Sequence, residues 1–218
     1  MCGRYTQTHS GSDLAAAFQL TTEPAPPPRY NIAPSQPVCA VIADREYRIF
    51  QWGLVPSWAK DYKIGYRLIN ARSETAAEKP SFRAAFKRRR CLIPADGFYE
   101  WQRTANNRKK QPFYIHLRDR PVFALAGLWE QWESGDGSYL ETCTILTTAP
   151  NELMEPIHNR MPVIVAVADY DRWLTAVPGQ VQALMKPYNA DEMEAYPVST
   201  LVNSPQNDGP DCTVPLEL

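Results

Sequence analysis

An α+β fold is predicted: one domain over residues 1–218, with a mixed, curved or barrel-like β-sheet core and short peripheral helices. Three observations predict it. Short alternating or wholly apolar runs fill the middle of the chain, helix-type patterns sit toward both ends, and no repeat or linker divides it. Residues 12–20 (SDLAAAFQL) read as a short helix capped by Ser12 or Asp13. The proline-rich TTEPAPPPRYNIAPSQP is extended loop, because proline fixes its own φ and keeps the preceding residue out of helix. PVCAVIA and EYRIFQW read as strands around a turn at Asp44-Arg45. GLVPSWAKDYK is loop, and residues 67–71 (RLINA) form a strand leading into a polar helical stretch. Residues 80–90 (PSFRAAFKRRR) open with proline, put Phe82, Ala85 and Phe86 on one face and end basic, as helices do. CLIPA, GFYEWQR, PFYIHLR, VFALAGLWEQW and YLETCTILTTA follow as strands, with NRKK and SGDGS as turns. Residues 150–157 read as a short helix, MPVIVA as a strand, and DYDRWLTAV and GQVQALMK as two more helices. The tail VNSPQNDGPDC is turn chemistry, with Val202 its candidate for docking.

Composition narrows the function. The 218 residues are 44% hydrophobic and 22% charged with six tryptophans, which describes a folded chain with a sizeable core. A net charge of −1 excludes a globally basic nucleic-acid binder, so any phosphate contact must come from local clusters. A polar stretch follows the first methionine and no run of about 18 apolar residues exists, so neither a secretory leader nor a membrane span is expected. Cys2, Cys39, Cys91, Cys143 and Cys212 are odd in number and form no CxxC pair. They point to a reducing, cytoplasmic setting and away from a structural zinc; no metal or cofactor is expected.

The reactive groups concentrate in four segments. MCGRYT would present Cys2 as an N-terminal 1,2-aminothiol once Met1 is removed. Its α-amine, with an ordinary pKa of about 7.7–8.0, keeps a nucleophilic neutral fraction near neutrality. Such an amine condenses with an aldehyde to an imine, and the thiol closes onto the imine carbon as a thiazolidine. LINARSET supplies Asn70 and Arg72, ADGFYEW supplies Glu100 and Trp101, and EPIHNRMP supplies His158 and Arg160. In Cys2/Arg4, Asn70/Arg72 and His158/Arg160 an arginine stands two residues from its polar partner, on the same face if the backbone is extended.

These segments, with YNIAPSQ, WGLVPSWAKD, LINARSETAAEKPSFRAAFKRRRCLIPADGFYEWQ, KQPFYIHL, ALAGLWEQW, TCTILTTAPNELMEPIHNRMPVIV and VNSPQNDGPDC, resemble the SRAP family of abasic-site processing proteins. The family is also called the SOS-response-associated peptidases. The resemblance spans nearly the whole chain. It implies a covalent link between the mature N-terminal cysteine and abasic sites in single-stranded DNA, with Cys2, Asn70, Glu100 and His158 at the functional positions. It also implies a peptidase activity, at least removal of Met1. The expected state is a cytoplasmic monomer that associates with the nucleoid on DNA damage. Chemistry agrees with the assignment. A ring-closed abasic sugar needs a proton donor and acceptor to open, which suits Glu100 in an apolar setting, and His158 titrates in the right range to shuttle protons. Asn70 does not titrate, so its amide oxygen can only orient the Cys2 amine. Arg4, Arg72 and Arg160 are candidates for phosphate contacts and Trp101 for stacking on bases.

Two rivals accompany this reading. A thiol peptidase built on Cys2 and His158 needs no free α-amine. A non-covalent reader of modified single-stranded DNA needs no thiol. Elsewhere, KRRR at 87–90 is either a solvated helix end or a DNA-facing cluster, and Trp52 or Trp58 could stack on bases. His9 and His116 are read as structural.

Overall fold

A computed structural model describes residues 2–103 and 110–217. Thirteen strands and four α-helices are described in chain order. They are β1 (Tyr5–Gln7), α1 (Gly11–Phe18), β2 (Arg29–Ile32), β3 (Pro37–Val41), β4 (Tyr47–Trp52), β5 (Asn70–Arg72), α2 (Arg83–Arg88), β6 (Arg90–Ala95) and β7 (Gly97–Arg103). Then come β8 (Lys110–Leu117), β9 (Phe123–Glu133), β10 (Tyr139–Thr148), β11 (Met161–Pro162), β12 (Ile164–Val165), α3 (Tyr170–Thr175), α4 (Pro178–Val181) and β13 (Met193–Pro197). The fold is α+β, as expected.

Two sheets carry the molecule. One is antiparallel, in the order β13-β8-β7-β1-β2. In the other, β10 pairs with β4, β4 with β3, β3 with β6, β6 with β9 and β9 again with β10, so the pairing returns to its start as a five-stranded barrel. The barrel is mixed because β10 runs parallel to β4, and also to β5 at its rim. Alternation along β6 explains the layering. Cys91, Ile93 and Ala95 join the core shared with Tyr5, Phe98 and Ile115 of the antiparallel sheet. Leu92 faces the other way, into a core closed by Leu14, Phe18, Phe86 and Trp173 of the helices. A third cluster, Tyr99, Tyr114, Val198, Val202 and Cys212, covers the outer face of the antiparallel sheet with the C-terminal tail, and Val202 is fully buried there.

Several local expectations need correction. Helix α1 begins at Gly11 because Ser10, not Ser12 or Asp13, is its cap; Asp13 instead completes a reciprocal capping box with Ser10. Residues 29–32 of the proline-rich stretch are a strand, held between β1 and the tail through Asp208, which accepts from the Tyr30 and Asn31 amides. The polar stretch after β5 is a chain of turns, with Thr75 N–H donating to the Arg72 carbonyl and Glu78 N–H to that of Thr75. Residues 150–157 are also turns rather than helix. Pro156 cannot donate a backbone bond, and Asn151 opens the segment with its side chain accepting from Met154 N at 3.0 Å. MPVIVA splits into β11 and β12, and β13 has no counterpart in the sequence reading. The expected NRKK turn lies outside the described residues apart from Lys110.

Candidate active site

The first residues run antiparallel along β7. Tyr5 stands opposite Phe98, and Tyr99 N–H donates to the Arg4 carbonyl at 3.0 Å, so continuing the register carries Cys2 beside the Glu100–Trp101 segment. From the barrel side, β5 lies against β10 with Asn70 opposite Ile145. The Asn70 amide nitrogen donates to the Cys2 carbonyl at 2.7 Å, bridging the two sheets. Trp52 supports β5 from below, its indole donating to the Ile69 carbonyl at 2.8 Å and its ring edge-on to Tyr5 at 5.5 Å. Cys2 is wholly buried.

Glu100 is set on β7 opposite Phe113 of β8 and is only 2% exposed. Burial pushes its carboxyl up to about 7, against the pull of the Trp101 backbone N–H. His158 reaches it from the turn between β10 and β11, with Nε2 4.0 Å from Glu100 Oε2. That turn is tied down at both ends. His158 N–H donates to the Met154 carbonyl at 2.8 Å, and Gln102 of β7 donates to the Pro156 carbonyl at 3.0 Å. His158 Nδ1 meets the Arg160 backbone, its N–H at 3.1 Å and its carbonyl at 3.2 Å, which leaves Nε2 facing Glu100. Burial lowers the His158 pKa, which favours a neutral ring. The Cys2 thiol is raised, first by burial and then by the Glu100 carboxylate, so it stays protonated near neutrality.

The structure thus brings Cys2, Asn70, Glu100 and His158 together. The contact Asn70 makes is one the sequence did not suggest: its amide nitrogen holds the Cys2 carbonyl. Its oxygen Oδ1 is buried and has no hydrogen-bond partner among the described residues. A buried acceptor in that state is one that a further N–H donor can satisfy. Among the described residues no cluster of three or more potential metal ligands occurs, and no helix is long and apolar enough to cross a membrane.

The arginines divide. Arg72 is exposed at the end of β5. Arg4 is bound inward, donating to Asn31 Oδ1 at 2.7 Å and to the Val202 and Asn203 carbonyls, with its guanidinium over the Trp101 ring. Arg160 pairs with Glu74 at 2.9 Å and donates to the Thr147 carbonyl, which holds Glu74 below the usual carboxylate range. Half-buried Trp101 donates to Asn203 Oδ1 at 2.7 Å. Trp52 is buried and presents no face to a base, whereas Trp58 is 58% exposed. In KRRR, Arg90 is buried and donates to the Phe86, Trp173 and Ala176 carbonyls, and Arg89 pairs with Glu130, leaving Lys87 and Arg88 exposed. Asn151 and Gln102, which fix the His158 turn, were not singled out by sequence; the Pro-Asn pair at 150–151 is a turn signal that could have marked the former.

A sequence model described as SOS response associated peptidase (SRAP) matches residues 1–205. The chain belongs to this family. It is 49% identical over 220 residues to the abasic site processing protein YoqW of Bacillus subtilis (strain 168), covering 97% of this chain and 98% of that one. It is 35% identical over 206 residues to the abasic site processing protein HMCES of Gallus gallus, covering 81% of this chain and 60% of that protein. Among solved structures, a protein from Bacteroides thetaiotaomicron superposes with a TM-score of 0.91 at 27% identity, covering 99% of this chain and 100% of the other. An SRAP member with this geometry has its four polar candidates gathered at the seam between its sheets.

Proposed function

We propose that this protein captures abasic sites in single-stranded DNA as a thiazolidine on Cys2, after Met1 has been removed by the chain itself or by another peptidase. The observation that carries the reading is the Cys2 carbonyl held 2.7 Å from the Asn70 amide, with an unsatisfied Asn70 oxygen beside it. A freed Cys2 ammonium or amine is a donor suited to that oxygen. The names of the relatives, abasic site processing proteins, support the substrate class.

The chemistry follows from the site's protonation states. Opening the hemiacetal transfers one proton to the ring oxygen and removes one from the C1 hydroxyl. Glu100, with a pKa of about 7, holds its acid and base forms in comparable amounts near neutrality and suits both transfers. The amine then adds to the C1 aldehyde and water leaves, forming the imine. Because Cys2 is a thiol rather than a thiolate, ring closure requires its proton to leave as sulfur bonds to the imine carbon. The Glu100 carboxylate takes that proton and the imine nitrogen gains one, so the sum is neutral. His158 Nε2 exchanges protons with Glu100. Loss of the imine removes the species prone to β-elimination, and the strand stays intact.

Arg72 is the arginine placed to meet a flanking phosphate, while Arg4 and Arg160 act by holding Trp101 and the His158 turn. The whole chain, 1–218, is read as one domain, supported by Asp208 and buried Cys212 beyond the family match. The thiol-peptidase alternative is weakened by the raised Cys2 pKa, which disfavours a thiolate nucleophile. The reading also places the protein in the cytoplasm and on damaged nucleoid DNA. Its test is stable adduct formation on an abasic single strand, followed on denaturing gels. Cys2→Ala and an N-terminally extended chain with its thiol intact should both fail. An extended chain that crosslinks at the wild-type rate would favour a mechanism without the α-amine.

A further inference from the structure

One arginine of the basic run at 87–90 builds a frame, and its neighbours surround what the frame encloses. Buried Arg90 donates to the Phe86 carbonyl at 2.7 Å and to the Trp173 and Ala176 carbonyls, tying the end of α2 to the end of α3. Phe86 is buried beneath the helix, and the Trp173 indole donates to the Cys91 carbonyl at 2.9 Å. Both ends are thereby fixed as walls of a preformed depression of about 580 Å³ between α2 and Pro178, the first residue of α4. Its floor is apolar, from Ala77, Ala84 and Pro178, and Val177 beside it is 63% exposed.

Three cations ring this floor. Arg83, Lys87 and Arg88 line the depression and are exposed, and no Asp or Glu lines it. None of the three side chains has a hydrogen-bond or ion-pair partner among the described residues. Arg89, at the edge, is already matched by Glu130 at 2.6 Å. The helix itself does not account for the three. Its closing carbonyls are met by others, that of Ala85 by the Arg89 N–H at 2.7 Å and that of Phe86 by Arg90. Arg83 is the first residue of α2, the end at which the helix dipole disfavours a cation. Arg83 and Lys87 also stand four apart on one face, a like-charge spacing that weakens a helix.

Negative charge from outside would relieve that repulsion, and the floor narrows its kind. Single-stranded nucleic acid binds where rings offer faces for stacking, and the ring in this lining, Phe86, is buried. An apolar floor inside a charged rim is instead the layout of a protein contact. We propose that the depression between α2 and Pro178 docks an acidic peptide segment of a partner protein. Its carboxylates meet Arg83, Lys87 and Arg88, and an apolar side chain rests on Ala84 and Pro178. The inference is independent of the crosslinking chemistry.

The probe is a fluorescently labelled decapeptide of aspartates with two central leucines, followed by anisotropy at low salt. Lys87→Glu/Arg88→Glu changes two exposed positions and leaves the Arg90 ties intact. It should weaken binding about tenfold or more, because each reversal removes an ion pair and adds a repulsion. Lys87→Arg/Arg88→Lys, which keeps both charges, should stay within about twofold of wild type. Replacing the two leucines by serine should weaken binding about threefold or more. An oligothymidylate of equal charge should need about tenfold more to displace the peptide. An unchanged melting temperature in the charge-reversed protein assigns its loss to the surface rather than to unfolding. No binding by the wild type, wild-type affinity in the charge-reversed protein, or indifference to the leucines would each overturn the proposal. Displacement by oligothymidylate at equal concentration would overturn it too, and would reassign the surface to nucleic acid.

Discussion

Glu100 carries opposing demands. Its carboxyl is buried and raised to about 7 from an ordinary 4.5, so ionising it in the folded protein is unfavourable. Folded protein binds that proton more tightly than unfolded chain. The resulting stabilisation is full below the ordinary value and is lost as pH rises through about 7, a term on the order of 3 kcal/mol. Glu100→Gln removes the titration while keeping the shape. The stability of the variant relative to wild type should therefore climb between about pH 4.5 and about pH 8, measured as a widening gap in melting temperature. A gap that stays constant across that range would place Glu100 in a more solvated setting. The same variant should slow adduct formation by about 10²–10⁴-fold, the usual loss for a general acid–base group. Wild-type rates in Glu100→Gln would reduce Glu100 to a structural strand residue.

At the scale of elements, the site depends on β7 lying flat between β1 and β8. Gly97 permits this, because a Cβ there would meet the Tyr114 ring at 2.1 Å. Gly97→Ala should destabilise the fold by about 1–3 kcal/mol through overpacking, read as a lower denaturation midpoint. An unchanged midpoint would show that Tyr114 can swing aside freely. Most strands were legible in the sequence because alternation such as that of GFYEWQR is local, and so were the four polar candidates, each embedded in a distinctive segment; β2 and β13 were not. The helices were less so. Residues 150–157 have helix-like composition, yet Pro156 and the Asn151 side chain divert the backbone into turns. Arg4 shows the deeper limit. Its spacing from Cys2 suggested a phosphate contact, but its guanidinium is taken by Asn31 and by Val202, 27 and 198 residues away, and no local pattern encodes partners so distant. Arg90 is similar, a member of a basic run whose place is decided by the ends of α2 and α3.

For the whole molecule, a net charge of −1 means DNA affinity cannot come from a general electrostatic field. On the proposed function it would arise from a few cations around the seam, Arg72 among them. Binding of single strands should weaken with salt with a log–log slope of only about −2, as expected for some three phosphates. An abasic sugar must also leave any helix to reach a thiol buried between two sheets, so single-stranded substrate should react about tenfold or more faster than the same lesion in duplex. Equal rates would imply that the seam admits a paired strand.

If an N-terminal aminothiol is the point of attachment, intact mass spectrometry after mixing the protein with an abasic single strand should show one product. Its mass should be that of the chain lacking Met1 plus that of the oligonucleotide less one water, and Cys2→Ala should give none. A stable adduct on chain that retains Met1, or an adduct of full yield from Cys2→Ala, would contradict that attachment.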